Sequence, residues 1–251
     1  MRKKDGYGSF GNLSGIYNRS RSGIPKELLE HLFALTQKEN PTILDVGCGT
    51  GIVSRQLQQS GARVYATDID KRMVAVAKKR DSDNEIQYSV APTEKLPFFD
   101  GTFDAVTAFS AFHWFANTYA VSEMHRVLRK SGIIFVINKN QKGNMRKEYL
   151  KLLHSFTNVK NDLPNAKAQY DPKKLLTQGG FKNVKESFHL CVEKQEVGKV
   201  ISYVQTTSLW NLVPEKNKGQ ALKELRDFFE AYAIKGMVER PIEYQVVFGN
   251  K

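Results

Sequence analysis

The segment Thr42–Ser54, TILDVGCGTGIVS, constrains the fold more than any other part of the chain. It reads as a buried strand (Ile43, Leu44, Val46) running straight into a glycine turn, Gly47-Cys48-Gly49-Thr50-Gly51, with an amphipathic helix from about Ile52. Three glycines in five residues allow a sharp turn and keep side chains away from a place a ligand must approach closely. Asp45 stands at the end of the strand, just before the turn. A carboxylate there suits a ligand carrying an ammonium or sulfonium charge and repels a pyrophosphate. The dinucleotide fingerprint GxGxxG asks for a third glycine at Ile52, whereas this chain has GxGxG.

The pattern continues as strand and helix in alternation. ARVYATDID alternates Val64 and Ala66 into a second strand ending at Asp68, where an acid reaches the ribose hydroxyls of a nucleotide bound at the switch point of a doubly wound sheet. Lys71–Lys79 reads as a helix with Met73, Val74 and Ala77 on one face, and Phe103–Phe109 as an apolar fourth strand. The helix NTYAVSEMHRVLRKSG and a fifth strand, Ile133–Ile137, follow. Such alternation predicts an α/β, doubly wound, mostly parallel sheet. Further on, KGNMRKEYLKLLHSF is helical with Met145, Tyr149, Leu152, Leu153 and Phe156 on its apolar face. Asp171 caps a short helix with Pro172 at its first position, ended by Gly179-Gly180. FKNVKESFHLCVE reads as the sixth strand, EVGKVISYVQTTSLWNLV and EKNKGQALKELRDFFEAYA as two helices, and IEYQVVFGNK as the last strand.

Taken together, LDVGCGTG, the acid in YATDID, EKLPFFDGTFDAV, EMHRVLRKSGIIFV and LLTQGGFKNVK resemble the class I S-adenosylmethionine-dependent methyltransferases, with a methyltransferase type 11-like domain. FSAFHWF and the leader YNRSRSGIP resemble a subgroup that includes trans-aconitate methyltransferase-like enzymes. The resemblance implies a seven-stranded Rossmann-like sheet, with the last strand inserted antiparallel between the fifth and sixth. It also implies one methyltransferase domain over residues 1–251, with a cofactor-binding core at 41–138. Residues 1–25, 139–175 and 195–237 would form a cap over the carboxyl ends of the strands and shape the acceptor site. The cofactor implied is S-adenosyl-L-methionine, leaving as S-adenosyl-L-homocysteine. By the same resemblance, Asp45 with Gly47, Gly49 and Gly51 would hold the methionyl part, and Asp68 the ribose. Ile69 and Met73 would pack on the adenine, Thr93 and Glu94 would contact its edge, and Ser110 would lie near the cofactor's amino group through its carbonyl. Many relatives carry an Asp where this chain has Pro92, which puts that adenine contact in doubt.

His113 is the candidate for chemistry: a general base, a donor to a substrate oxygen, or a packed histidine closing the site. Trp114 beside it is a candidate wall of the acceptor site. Tyr17 and Arg21 in the leader suit a carboxylate, the cofactor's own or a substrate's. Tyr203 and Trp210, on the helix read after the sixth strand, are further substrate-side candidates whose alternative is core packing. Methyl transfer from a sulfonium is a direct displacement with a neutral leaving group, so alignment in a water-poor site supplies much of the catalysis. The absence of a catalytic dyad therefore does not argue against an enzyme.

Charge and composition narrow the rest. The net charge of +12 is uneven: residues 139–251 hold 20 Lys and Arg against 12 Asp and Glu, while residues 41–138 hold 11 against 10. Lysines interspersed with acids, without an arginine cluster, read as a solvated surface more than as a nucleic-acid face. RNA methylation is the alternative acceptor reading, a cofactor-binding protein without transferase activity the alternative class, and a nicotinamide oxidoreductase the reading that GxGxG opposes. No apolar run approaches the ~20 residues that cross a bilayer. Two cysteines, Cys48 and Cys191, lack metal-ligand spacing, and the histidines share none either, so no metal is expected. The expectation is a cytoplasmic enzyme, monomeric or homodimeric, acting on a small molecule through an oxygen or carboxylate acceptor.

Overall fold

The computed structural model describes residues 20–82, 85–159 and 171–251. In chain order the elements are α1 (Lys26–Thr36), β1 (Thr42–Val46), α2 (Ile52–Gln59), β2 (Arg63–Asp68), α3 (Lys71–Arg80), β3 (Gln87–Val90), β4 (Phe103–Phe109), α4 (Thr118–Val127) and β5 (Leu128–Gln141). They continue with α5 (Asn144–Ser155), α6 (Pro172–Gln178), β6 (Lys182–Glu196), α7 (Val197–Gln205), α8 (Glu215–Tyr232) and β7 (Met237–Asn250). Short 3-10 turns lie at Phe112–Trp114 and Trp210–Leu212.

The seven strands form one sheet in the order β3-β2-β1-β4-β5-β7-β6. The pairs β1–β2, β1–β4, β2–β3 and β4–β5 are parallel. β7 runs the other way: near one end of β5 the Lys142 N–H donates to the Pro241 carbonyl, and near the other the Lys251 N–H donates to the Gly132 carbonyl. The doubly wound, mostly parallel sheet read from the sequence is the one observed, with the last strand between the fifth and sixth.

By packing, the described residues fall into two compact units. The first comprises residues 22–82, 85–139, 171–189 and 244–251. Its core joins Leu44 and Val46 of β1, Phe103 and Val106 of β4, Val121 and Met124 of α4 and Ile134 and Val136 of β5. β1 and β4 are buried almost throughout because a parallel sheet is covered on both faces. The second unit comprises residues 20–21, 140–159 and 190–243. There Met145, Tyr149 and Leu153 of α5 and Ala221, Leu225 and Phe229 of α8, each set spaced by four, turn one helical face inward onto Val200 and Val204 of α7.

Four elements differ from the sequence reading. β7 begins at Met237, five residues before the Ile242 at which the last strand was read. β3 has no counterpart there: QYSV is four residues long and half polar, too short to show a period. β5 begins at Leu128, where a helical tail had been read; Leu128 pairs with Phe103, and the left-handed Ser131 (φ 64°) resets the register so that Ile133 meets Ala105. α7 stops at Gln205. The Thr206 and Thr207 hydroxyls donate to the Tyr203 and Val204 carbonyls, 2.7 Å each, in competition with further helical bonds. Asp171 does cap α6, accepting from the Lys174 N–H at 2.9 Å.

Candidate functional site

All three glycines of the turn are left-handed, with φ of 68°, 56° and 72° at Gly47, Gly49 and Gly51, where a side chain is disfavoured. Their surroundings separate them. A Cβ on Gly47 would lie 2.6 Å from the Ala111 Cβ and 2.9 Å from Phe115 Cε1, and one on Gly51 would lie 2.5 Å from the Tyr88 hydroxyl. Among the described residues, a Cβ on Gly49 would meet nothing within 4 Å. Two glycines are thus demanded by packing inside the protein, and the middle one is crowded by no described residue.

One carboxylate reaches the turn from β2, and a second is buried at the end of β1. At the end of β2, Asp68 accepts from the Gly49 N–H through Oδ2 and from the Asp70 N–H through Oδ1, both at 2.8 Å. These bonds tie the turn to β2 and hold the carboxylate in one orientation, partly exposed. Asp45 lies beneath the turn, only 2% exposed. It accepts from Ser54 Oγ at 2.6 Å and from Thr107 Oγ1 at 3.4 Å. Burial pushes its carboxyl up to about 7, opposed by those two bonds and assisted by the negative Asp68. Burial and the same two acids also push the Cys48 thiol up, so it stays protonated. Next to the turn, Thr50 Oγ1 and the Tyr88 hydroxyl are buried with no hydrogen-bond partner among the described residues.

Ile69 follows Asp68 and is 63% exposed, whereas Met73, one turn into α3, is buried. Thr93 is buried; Glu94 is exposed and accepts from Asn117 Nδ2 at 2.8 Å, the same Asn117 whose Oδ1 caps α4 on the Ala120 N–H. The Pro92 carbonyl accepts from the Lys95 N–H in a tight turn. Ser110, at the end of β4, is left-handed (φ 52°) without being glycine. Its N–H donates to the Ile137 carbonyl at 2.7 Å, which holds this uncommon conformation in place. The 3-10 turn that follows carries His113, half-buried against the Trp114 ring at 4.7 Å between centroids; Trp114 is exposed.

The remaining candidates belong to the second unit. Arg21 stacks on the Tyr203 ring, 4.4 Å from its centroid, and its Nε donates to Thr206 Oγ1 at 3.2 Å. Trp210 is buried in the apolar core of that unit. Tyr17 lies outside the described residues. Sequence reasoning did not single out Ser54, Thr107 or Tyr88. Ser54 had a signal, since it opens the first turn of the helix after the acid. Thr107 and Tyr88 are brought in by long-range strand pairing and had none. Among the described residues no group of three or more His, Cys, Asp or Glu is placed to hold a metal, and no helix is long and apolar enough to cross a membrane.

Comparison with known proteins bears on this arrangement. Residues 44–136 match the family described as "Methyltransferase domain". A demethylmenaquinone methyltransferase of Chlorobaculum parvum is 32% identical over 164 residues, 58% of this chain and 67% of that protein. An uncharacterized methyltransferase of Mycobacterium bovis is 32% identical over 124 residues, 49% of each chain, so this chain spans about half the length of some curated relatives it matches. The solved structure of a protein described as a Type II methyltransferase, from Anaeromyxobacter dehalogenans, superposes with a TM-score of 0.67 over 92% of this chain and 97% of that one, at 19% identity, which speaks for the fold alone. With the family match starting on β1 and running through the turn to β5, the chain belongs to the class I S-adenosylmethionine-dependent methyltransferases.

Proposed function

We propose that this chain transfers the methyl group of S-adenosyl-L-methionine to a small-molecule acceptor, at an oxygen or carboxylate, and releases S-adenosyl-L-homocysteine. The observation that carries the reading is the left-handed Gly49, which no described residue crowds and whose N–H is anchored on the Asp68 carboxylate. The residues fit the cofactor. The turn leaves room where a side chain would fill the cradle, and Asp68 presents a fixed carboxylate suited to two ribose hydroxyls. Asp45, buried at the end of β1, supplies negative charge near the turn once the pH exceeds about 7, which suits a sulfonium and an ammonium. When bound, the cofactor supplies an activated methyl group and a neutral leaving group.

The protein's own residues then act by holding and excluding. Gly47, Gly49 and Gly51 let the backbone approach, and the exposed Ile69 offers apolar surface to the adenine, Met73 being buried. Thr93, Glu94 and the Ser110 carbonyl stand for the adenine edge and the amino group. His113, at the mouth of β4, takes a proton from an acidic acceptor hydroxyl or donates to its oxygen; Trp114 limits water there. Arg21, Tyr17 and Tyr203 are the substrate-side residues, whereas Trp210, buried in the apolar core, takes the packing alternative. The name of the Chlorobaculum relative gives a small molecule, demethylmenaquinone, as its acceptor, which supports the class. We place the enzyme in the cytoplasm, a reading supported by two cysteines that form no disulfide.

Methyl-labelled S-adenosylmethionine incubated with fractionated cell extract tests the reading. Label is expected in the low-molecular-weight fraction and to be lost with Asp68→Ala, which removes a charge-assisted ribose contact. Label in nuclease-sensitive material would overturn the small-molecule acceptor, and unchanged cofactor affinity in Asp68→Ala would remove the ribose assignment.

A further inference from the structure

β6 is the outermost strand of the sheet, and among the described residues β7 is its one strand neighbour. It runs unbroken from Lys182 to Glu196, contains no proline, and has no left-handed residue from Val184 onward. Proteins ordinarily guard such an edge with a short strand, a proline or a bulge, because its backbone is a template for another strand. This edge is long and regular, and one of its faces is apolar in the middle. Phe188, Leu190 and Val192 alternate along that face and are 56%, 75% and 55% exposed. Glu186 and Lys194 share the face, one at each end of the apolar trio. Both are exposed, with neighbours on β7: Glu186 accepts from Gln245 Nε2 at 2.7 Å, and Lys194 pairs with Glu239 at 2.7 Å.

We propose that two copies of this chain pair along β6, antiparallel, about a two-fold axis at Leu190, so that one sheet continues through both. A two-fold interface brings residue i onto j and j onto i, so the strand must complement its own reverse. With the axis at Leu190 it does: Leu190 meets Leu190, Phe188 meets Val192, and Glu186 meets Lys194 of the second copy, the last two pairs each formed twice. Opposed side chains in an antiparallel pair lie about 4.5–5.5 Å apart at Cβ, close enough for apolar contact and for ion pairing. Other settings lose this match. With the axis at His189, Glu186 meets Val192; at Cys191, Phe188 meets Lys194 and Glu186 meets Glu196. A parallel pair in register would set Glu186 on Glu186 and Lys194 on Lys194. An apolar trio flanked by charges of opposite sign thus fits a second copy of itself, and fits it in one register. The inference concerns assembly and does not depend on which acceptor is methylated.

Sedimentation of the full chain over a concentration series tests the pairing, with circular dichroism to check that each variant folds. The unaltered chain is expected to sediment at twice the 28.5 kDa of one chain and to dissociate on dilution. Leu190→Lys, at an exposed position, should raise the dimer dissociation constant at least about tenfold, since two ammonium groups then meet on the axis. Lys194→Glu should raise it too, by setting two carboxylates opposite each other at both ends of the pair. Adding Glu186→Lys to that variant should return the constant to within about threefold of the unaltered chain. Repulsion from Glu239 within the chain persists in the double variant, so the recovery reads the contact between copies. A monomer throughout the series, or a dimer that Leu190→Lys leaves as tight, would overturn the proposal. A double variant no tighter than Lys194→Glu alone would overturn the register.

Discussion

Asp45→Asn puts stability and binding in opposition at a single atom. The Asp45 carboxyl moves from an ordinary value near 3.8 to about 7, so the unfolded chain gives up this proton roughly three pH units earlier than the folded one. Between those limits the native state holds a proton that the unfolded state lacks, and stability falls as pH rises through the window. Above pH 7 the loss is complete and amounts to at most about 4 kcal/mol. Asparagine keeps an acceptor for Ser54 and cannot ionise. Its stability should therefore be near or below that of the unaltered chain at pH 4 and above it at pH 8. In thermal unfolding each kcal/mol moves the midpoint of a chain this size by about 2–4 °C. The same change should weaken S-adenosylmethionine binding, since the buried negative charge is gone. The decisive quantity is how the difference between the two proteins changes with pH: an identical offset at pH 4 and pH 8 would refute the raised carboxyl and the argument built on it.

Two further substitutions separate roles that the sequence runs together. Gly49→Ala should cost only about 1–2 kcal/mol, the strain of a left-handed alanine, because its Cβ meets no described residue, yet it should abolish cofactor binding. Gly47→Ala should unfold the chain far more readily, since its Cβ lands on Ala111 and Phe115; comparable unfolding midpoints for the two would contradict the packing. For His113→Ala, turnover should fall about 100-fold or more with S-adenosylhomocysteine affinity kept. Lowered thermal stability with undiminished turnover per folded molecule would assign His113 to packing.

How much was readable depended on whether the determinants were local. β4 was found at its observed bounds because seven mostly apolar residues stand between Gly101 and the left-handed Ser110. The α6 cap was found because Asp171 and Pro172 act within one turn. β5 was read short because LRKSG carries helix-ending signals, and only its pairing with Phe103 makes Leu128 a strand residue. In the site, the glycines and Asp68 are contiguous features of the chain, whereas the bond from Thr107 to Asp45 spans 62 positions. Arg240 is a different case. Val238, Arg240, Ile242 and Tyr244 alternate as an inward face, all buried, so the period was visible; a charged side chain in that row argued against it.

The position of β7 has a consequence for how the protein is made. β6 joins the sheet only through β7, and β7 is the later of the two to leave the ribosome. From the end of β5 at Gln141 to the end of β7 at Asn250, synthesis at about 5–20 residues per second takes roughly 5–20 s. For that interval the outer edge of β5, an apolar strand with a row of unsatisfied amides and carbonyls, has no native neighbour in the sheet. The nascent chain therefore passes through a stage that offers an open sheet edge, where a chaperone, or another nascent chain, competes with β7 for the same hydrogen bonds.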